Sequence, residues 1–293
     1  MYSINLHSDD YIELQSADAK SYAKIQLREG ASLQSLRLAN KEIIKDLSPL
    51  SYAETYASAL LFPFVNRVKD GKYSFEGQDY QLHINEPENN NAHHGLVYNQ
   101  HFELLEAINN AENATVGLVH KADGSAQGFP FSYQFEVYYT LMAQQLEIKV
   151  YITNLSQKAF PYTIGWHPYF YSSDLSQTKI YLNSHQKALF DSRGLTQGFE
   201  EVHISEAIHI GDKHFDDCFQ LKTPSINFQT PDYKISIEQD IDEPFFQVYT
   251  PPIRSFVALE PTTGLADSFN NKIGLRVLKP EEKAAFSWKL ILQ

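Results

Sequence analysis

The sequence of 293 residues contains one cysteine, Cys218, so it has no internal disulfide framework. A chain that uses so little cysteine is typical of a reducing compartment, and we expect a cytoplasmic protein. Cys218 is a poor candidate for a catalytic thiol, because Asp216 and Asp217 precede it and nearby carboxylates raise the pKa of a thiol.

The sequence also lacks long apolar runs and basic clusters. No apolar run approaches the roughly 18 residues of a membrane-spanning helix, and residues 1–4 do not begin a signal peptide. The 24 Lys and Arg residues are outnumbered by 36 Asp and Glu residues, which gives a formal net charge of −12. These deficits argue against a membrane or a nucleic acid as partner.

Motifs for nucleotides, activated serines and metals are missing as well. The chain has no Gly-rich phosphate loop, no Gly-x-Ser-x-Gly elbow, and no His-x-His or His-Glu-x-x-His pattern. The adjacent His93 and His94 cannot easily turn both rings to one ion from an extended strand. We therefore expect no metal and no cofactor.

Aromatic residues, in contrast, are abundant, with 18 Tyr, 19 Phe and 2 Trp. Such side chains suit the packing of β-sheets, and their ring faces also suit a sugar site, where they stack on C–H surfaces.

Alternation of apolar and polar residues runs through most of the chain. It is most regular in residues 135–141 and 146–152, which predicts a long antiparallel pair joined by a turn at 142–144. A second hairpin is predicted over residues 73–84, with its turn at 76–79. One short helix is predicted over residues 51–59, because Pro49 and Ser51 can start it.

More than ten such strands, almost no helix and no linker or repeat predict an all-β protein. A single antiparallel β-sandwich domain over residues 1–293 is the simplest interpretation, and two smaller sheet domains are the alternative. A sandwich offers a concave sheet face on which residues distant in sequence can meet.

Glu260 stands out as a candidate base. It follows the apolar strand 255–259 and precedes the tight loop 261–264, so its carboxylate is expected at a strand end and partly removed from water. Desolvation raises the pKa of a carboxyl and makes it a usable base. A salt-bridged Glu at the rim is the alternative.

His167 and Asp216 are further candidates. His167 alternates with Trp166, so it is expected on the face opposite the aromatic residues, and its ordinary pKa near 6.5 suits proton transfer. The alternative is a structural histidine. Asp216 could accept hydrogen bonds from sugar hydroxyls, and the alternative is a solvated turn.

Polar residues flank the hairpin of residues 73–84 without being needed to form it. Asn66 and Arg67 directly follow an apolar run, and His94 precedes Gly95 at the end of a polar loop. These side chains could line a polar pocket at one end of a sheet. The alternatives are a solvated arginine and a loop-capping histidine.

Four sequence blocks, in this order and spacing, resemble the aldose 1-epimerase (galactose mutarotase) family. They are residues 62–67 with the hairpin that follows, residues 91–96, residues 165–170 and residues 258–261. The resemblance implies a large antiparallel β-sandwich and a cofactor-independent isomerase, present as a monomer or homodimer. Its substrate would be a monosaccharide, a free aldohexose whose α and β anomers it interconverts.

The resemblance also implies roles for individual residues. Glu260 would be the base that takes the proton from the C1 hydroxyl, and His167 the acid that protonates the ring oxygen. His94 would hydrogen-bond near the ring oxygen. Other hydroxyls would be held by Arg67, Asn66 and Asp216.

Three departures from the family pattern indicate a divergent branch. His93 replaces the usual apolar residue before His94, Pro168 follows His167, and a one-residue slip would exchange Asp216 for Asp217. Two alternatives therefore stay open on the same fold. One is a hexose-6-phosphate 1-epimerase, for which Lys69 and Arg254 are the candidate additional basic residues, and the other is a non-catalytic sugar-binding protein.

Overall fold

The chain is built almost entirely from β-strands in the computed structural model, which describes residues 1–8, 10–242 and 244–293. The strands are β1 (Ser3–His7), β2 (Tyr11–Gln15), β3 (Tyr22–Gln26), β4 (Ser32–Leu38), β5 (Lys41–Ile44), β6 (Ala59–Leu61), β7 (Arg67–Lys69), β8 (Lys72–Phe75), β9 (Gln78–Gln81), β10 (Asn91–His93), β11 (Glu103–Asn109), β12 (Ala114–Asp123), β13 (Ser132–Leu141), β14 (Gln145–Asn154), β15 (Phe160–Tyr162), β16 (Gly165–His167), β17 (Tyr169–Tyr171), β18 (Lys179–Tyr181), β19 (Ser184–Phe190), β20 (Thr196–Ile204), β21 (Ile208–His209), β22 (Asp216–Leu221), β23 (Ser225–Gln229), β24 (Lys234–Gln239), β25 (Phe245–Tyr249), β26 (Phe256–Thr262), β27 (Arg276–Leu278) and β28 (Lys283–Leu292). The helical segments are α1 (Tyr52–Thr55), α2 (Ser268–Asn271) and a 3-10 turn at Leu175–Gln177. In the described part of the chain, no helix is long and apolar enough to cross a membrane.

Three larger antiparallel sheets contain most of the strands. The first holds β1 to β5 in sequence order, and the second has nine strands in the order β11-β12-β13-β14-β28-β24-β23-β18-β21. The third has eight strands, in the order β20-β19-β22-β25-β26-β16-β6 with β17 also paired to β26. The predicted all-β antiparallel sandwich is confirmed.

Large aromatic side chains join the nine-stranded and eight-stranded sheets. Trp288 on β28 packs against Trp166 on β16 with ring centroids 6.1 Å apart, and Phe228 packs against Phe170 at 5.7 Å. Burial of each such side chain stabilises the fold by roughly 1.5–3 kcal/mol. One connected core cluster includes residues from Tyr2 to Leu290.

Both predicted hairpins are present. In the β13–β14 pair, Val137 lies opposite Val150, as the alternation of the two strands predicts. The β8–β9 hairpin has a shorter turn than predicted, because Glu76 and Gly77 alone form it, with φ of 48° and 78°. Two residues in this left-handed region give the tight turn whose twist matches that of the flanking strands.

The predicted helix over residues 51–59 was wrong in length. Helix α1 is a single turn, with Ser51 at its N-terminus held by the Glu54 carboxylate. Tyr56 and Ser58 adopt left-handed backbone angles, and the apolar residues that follow form β6, which is buried in the eight-stranded sheet. Tertiary packing of this strand therefore overrides local helix propensity.

Candidate active site

A polar cavity of about 180 Å³ is lined by residues of the eight-stranded sheet and of the loops beside it. The cavity, which we call the main cavity, is lined by Glu54, Thr55, Tyr56, Asn66, Arg67, His93, His94, His167, Tyr169, Asp216, Gln247, Tyr249 and Glu260. The structure thus brings all six site residues predicted from sequence to one place.

Strand register explains how residues distant in sequence meet here. Glu260 on β26 lies directly opposite Gln247 on β25. Two residues further along β25, Tyr249 lies opposite Asp216 on β22. Because side chains two residues apart on a strand share a face, the polar members of three neighbouring strands point into one cavity.

The closest acid and base in the cavity are Glu260 and His167. The Oε1 atom of Glu260 lies 3.5 Å from Nε2 of His167, and the two residues are only 4% and 6% exposed. Glu260 was predicted at a strand end, but β26 continues through Pro261 to Thr262 and holds it within a fully buried strand. This placement removes the carboxyl from water more completely than a strand end would.

Burial shifts the pKa values of this pair in opposite directions. It raises the pKa of Glu260 well above its usual range, and the charge of Asp216 adds to this effect while Arg67 opposes it. Burial lowers the pKa of His167 to about 4. Each group is therefore stabilised in its neutral form, so the free pair holds a single proton near neutral pH.

His93 and His94 both line the cavity, although adjacent residues of a regular strand would point to opposite faces. His94 leaves the extended conformation with φ of 61°, and its ring packs 3.6 Å from the ring of His93 and 5.1 Å from that of His167. Gly95 permits this turn, because a side-chain carbon there would lie 2.3 Å from the carbonyl oxygen of Phe62.

The two adjacent histidines share an environment that disfavours their charged forms. Burial lowers the pKa of His93 to about 3, and burial together with the neighbouring histidines lowers the pKa of His94 well below 6.5. Because their pKa values are lowered, both histidines are neutral hydrogen-bonding groups near neutral pH. Among the described residues, no group of three or more His, Cys, Asp or Glu side chains is arranged to hold a metal ion.

Arg67 is fixed by a carboxylate that the sequence did not reveal. Its Nε atom donates to both carboxylate oxygens of Glu86 at 3.0 Å, and its Nη2 atom donates to one of them at 2.8 Å. Burial alone would raise the pKa of Glu86, but hydrogen bonds from Arg67 and from Asn91 outweigh it and lower the pKa. The guanidinium is thus held in one orientation toward the cavity.

We expect the Glu86→Gln variant to be less stable by about 1–3 kcal/mol, because the amide cannot accept all three bonds and leaves Arg67 partly unpaired. The free energy of unfolding from denaturant titration measures the loss. Glu88, an exposed residue of the same loop, supplies the control: Glu88→Gln should change stability by less than about 0.5 kcal/mol. Equal effects of the two substitutions would contradict a positioning role for Glu86.

Of the two adjacent aspartates, Asp216 lines the cavity and Asp217 does not. Asp217 pairs with Lys187 at 3.2 Å. Gln247 donates to Asp216 at 2.6 Å, and the Oε1 atom of Gln247 is buried without a partner among the described residues. Sequence reasoning missed Gln247, although a single polar residue within the apolar strand β25 was a signal for it. Cys218 is buried, and burial raises the pKa of its thiol.

Three tyrosines complete the cavity wall, and sequence reasoning missed them. Tyr56, Tyr169 and Tyr249 line it, and the ring of Tyr169 stacks on that of His167 with centroids 5.1 Å apart and an interplanar angle of 12°. Aromatic faces of this kind pack against the C–H surfaces of a sugar ring, while the polar groups between them can bind its hydroxyls.

Comparison with known proteins shows which proteins the whole chain is similar to. A family model described as aldose 1-epimerase matches residues 12–290. The YihR protein of Escherichia coli (strain K12) is 25% identical over 293 residues, which cover 95% of this chain and 92% of YihR. Among solved structures, a galactose mutarotase-like protein from Clostridium acetobutylicum is similar with a TM-score of 0.87 at 20% identity, covering 100% of this chain and 98% of that one. Galactose 1-epimerase from Lactobacillus acidophilus NCFM is similar with a TM-score of 0.81 at 19% identity, with the same coverage.

Proposed function

The chain belongs to the aldose 1-epimerase family, and we propose on that premise that it is a mutarotase, which interconverts the α and β anomers of a free aldohexose. The observation that carries this proposal is the buried pair of Glu260 and His167, 3.5 Å apart in a cavity rich in hydrogen-bonding groups. Mutarotation requires proton transfers at two neighbouring oxygens of the sugar, and a base beside an acid supplies both.

The reaction opens and recloses the sugar ring. Glu260 takes the proton of the C1 hydroxyl while His167 gives a proton to the ring oxygen, so the C1–O5 bond breaks and C1 becomes an aldehyde. Rotation about the C1–C2 bond presents the other face of the aldehyde. The ring oxygen then attacks C1, His167 recovers its proton, Glu260 returns the other, and the opposite anomer is formed.

The proton count of the catalytic pair is constant through this cycle. The arrangement that reacts is a carboxylate and an imidazolium, which the neutral free pair reaches when its one proton moves from Glu260 to His167, 3.5 Å away. After ring opening the pair is again a carboxylic acid and a neutral imidazole. Burial disfavours both charges, so the surroundings of Glu260 and His167 favour the neutral arrangement that accompanies the open-chain sugar.

The other polar residues hold the sugar in place. Arg67, Asn66 and Asp216 would bind hydroxyls at one end of the cavity, and His94 would hydrogen-bond near the ring oxygen. The fixed Arg67–Glu86 pair and the packed rings of His93 and His94 hold these groups in position before the sugar binds. Orientation of this kind adds to the contribution of the acid and the base.

We expect activity to persist as the pH rises through 6.5 and to be lost as the pH falls through about 4. Below the lowered pKa of His167 the pair gains a second proton, so Glu260 stays protonated while His167 is an imidazolium and cannot serve as the base. As the pH rises, the pair loses its single proton only near the raised pKa of Glu260, and activity should persist until then. The pH dependence of kcat/KM, corrected for spontaneous mutarotation, measures both limits.

A histidine with an ordinary pKa would behave differently. The imidazolium proton would then be lost as the pH rises through about 6.5, and activity would fall there. A decline of kcat/KM centred near pH 6.5 would contradict the opposed pKa shifts of the buried pair.

The charge of the cavity does not favour the alternative of a hexose 6-phosphate. Arg67 is already paired with Glu86, and Asp216 and Glu260 line the same wall. Lys69 and Arg254 do not line the main cavity, and Arg254 donates to the backbone carbonyl oxygens of Lys213 and Gly211. A phosphate group would therefore meet no unpaired cation among these residues.

Turnover separates the proposed mutarotase from a sugar-binding protein. Optical rotation of freshly dissolved α-glucose and α-galactose, followed with and without protein, should approach the same final value faster when protein is present. Sugar binding without any acceleration would favour the non-catalytic alternative.

A further inference from the structure

A larger cavity, which we call the second groove, lies beside the chain segment that carries His93 and His94. Its volume is about 480 Å³, against about 180 Å³ for the main cavity, and the two have no lining residue in common. His93 and His94 line the main cavity, whereas the next two residues, 95 and 96, line the second groove. The groove is lined by Phe64, His83, Asn85, Gly95, Leu96, Tyr98, Asn99, Gln100, His120, Lys121, Ala122, Asp123, Ser125, Ala126 and Tyr133.

Strands β12 and β13 place two ring-bearing residues in the wall of the second groove. Tyr133 on β13 lies opposite Ala122 on β12, and His120 lies two residues from Ala122 on the same strand. The three side chains therefore share one face of the nine-stranded sheet. The rings of His120 and Tyr133 lie 6.4 Å apart, and the side chain of Ala122 is too small to fill the space beside them.

The hydroxyl of Tyr133 has no hydrogen-bond partner among the described residues, although the residue is only 2% exposed. Other buried tyrosines bond theirs to the backbone. Tyr139 donates to the carbonyl oxygen of Ala31 at 2.7 Å, and Tyr73 donates to a backbone carbonyl oxygen at 2.8 Å. An unpaired hydroxyl is costly to bury, because it has given up its hydrogen bonds to water. In a residue that lines a cavity, it indicates a ligand that supplies the partner.

His120 adds a hydrogen-bond acceptor to the same wall. Its Nδ1 atom lies 3.1 Å from the backbone carbonyl oxygen of His101, so Nδ1 carries the proton and donates it. Burial lowers the pKa of His120, so the ring is neutral near neutral pH and its Nε2 atom is an acceptor. Tyr133 can therefore donate to a ligand oxygen while His120 accepts from a ligand hydroxyl.

Two side-chain amides add a further donor and a further acceptor. Nε2 of Gln100 donates to Oδ1 of Asn99 at 3.0 Å, which leaves Nδ2 of Asn99 and Oε1 of Gln100 without partners among the described residues. Every sugar hydroxyl both donates and accepts, so a lining with both kinds of neutral group matches it. The rings of Phe64 and Tyr98 supply apolar surface for the C–H face of a sugar.

The charges of the second groove do not favour an anion. Among its lining residues in the described part of the chain, Lys121 and Asp123 are the only Lys, Arg, Asp or Glu side chains, and both are exposed. Their charges are opposite in sign, and neither lies in the buried wall beside Tyr133. A neutral ligand is therefore favoured over a phosphate or a carboxylate.

We propose that the second groove is a binding site for a neutral saccharide, separate from the main cavity. Tyr133 and His120 bind hydroxyls of the sugar, and the aromatic rings of the lining contact its C–H face. This inference goes beyond the proposed function and does not depend on turnover, because the groove contains neither Glu260 nor His167.

A single NMR titration measures binding at both places. Backbone amide signals of residues 95–100 and 120–126 report on the second groove, and those of residues 247–249 report on the main cavity. Isotope-labelled protein is titrated with glucose, with galactose, and with glucose 6-phosphate as the charged probe. We expect the groove signals to shift with at least one neutral sugar, with a Kd of about 10 mM or lower. Glucose 6-phosphate should bind there no more tightly than glucose.

The Tyr133→Phe variant tests the unpaired hydroxyl. It should weaken sugar binding in the second groove by about threefold to tenfold while the affinity of the main cavity stays within about twofold. Because the hydroxyl has no partner to lose, the Tm without sugar should not fall. Tyr138→Phe is the matched control: Tyr138 lies on the opposite face of the same strand and outside the groove, so both affinities should stay unchanged.

A second variant blocks the groove without touching Tyr133. Ala126 is an exposed lining residue, and Ala126→Trp places a large ring in the space. Sugar affinity in the second groove should fall by about tenfold or more, and mutarotation in the main cavity should stay within about twofold.

Several results would overturn this inference. One is the absence of saturable shifts at the groove signals with up to about 50 mM of either sugar. Another is tighter binding of glucose 6-phosphate than of glucose, and a third is a lowered Tm for Tyr133→Phe, which would give the hydroxyl a structural role. Mutarotation without groove binding leaves the proposed function intact and refutes the second site. Groove binding without mutarotation supports the second site and contradicts the proposed function.

Discussion

The Glu260→Gln variant should lose mutarotation by about 10²–10⁴-fold in kcat while its affinity for sugar stays within about tenfold. Gln has nearly the same shape and can still hydrogen-bond a hydroxyl, but it cannot accept a proton. Because Glu260 is only 4% exposed, solvent cannot easily supply a replacement base at the same position. Initial rates from polarimetry give kcat, and titration calorimetry gives the affinity.

Glu206 offers a matched control for this substitution, because it is exposed and lies outside the main cavity. Glu206→Gln makes the same chemical change and should leave kcat unchanged within experimental error. A Glu260→Gln variant that retains near wild-type kcat would show that another group is the base. Loss of sugar affinity by far more than tenfold would instead indicate that Glu260 mainly binds the substrate.

The second large effect is expected at His167. His167→Gln should lower kcat by about 10²–10³-fold, because the amide can donate a hydrogen bond to the ring oxygen but cannot transfer a proton to it. The decline of activity near pH 4 should also disappear from the residual reaction, since the group responsible for it has been removed. Rates measured between pH 3.5 and about 8, with background subtraction, test both statements.

His203, which is exposed on β20, provides the control substitution His203→Gln, and its activity should be unchanged. The double variant of Glu260 and His167 gives a further test, because groups that act as a unit have effects that do not add. We expect it to be no more than about tenfold slower than the slower single variant. Fully multiplicative losses would contradict a coupled proton transfer by the pair.

Much of the fold followed from period-two alternation, because strands that bury one face must alternate. The β13–β14 pair shows this clearly, since the predicted apolar positions 137 and 150 are opposite one another. Helix α1 shows the limit of local signals. Residues 57–61 suit either a helix or a strand, and only the pairing of β6 with β16 decides between them.

The site could be predicted only in part for a related reason. Alternation puts Asp216 and Asp217 on opposite faces of β22, but the sequence does not say which face meets the cavity. Glu86 lies in a loop 19 residues from Arg67, and no sequence pattern predicts that the two side chains form an ion pair. The rings of His93 and His94 pack together because His94 adopts a left-handed backbone conformation. That conformation depends on the close packing of Gly95 on Phe62, which the sequence does not show.

Exchange between anomers at equilibrium is the most direct measure of the proposed activity. Two-dimensional exchange NMR of equilibrated glucose and galactose should show cross-peaks between the α and β anomeric protons, with rates that rise in proportion to protein concentration. The same sample with the Glu260→Gln variant should show only the spontaneous rate. Exchange rates that are unaffected by the wild-type protein, for both sugars, would contradict the assignment of Glu260 and His167 as the base and acid of a mutarotase.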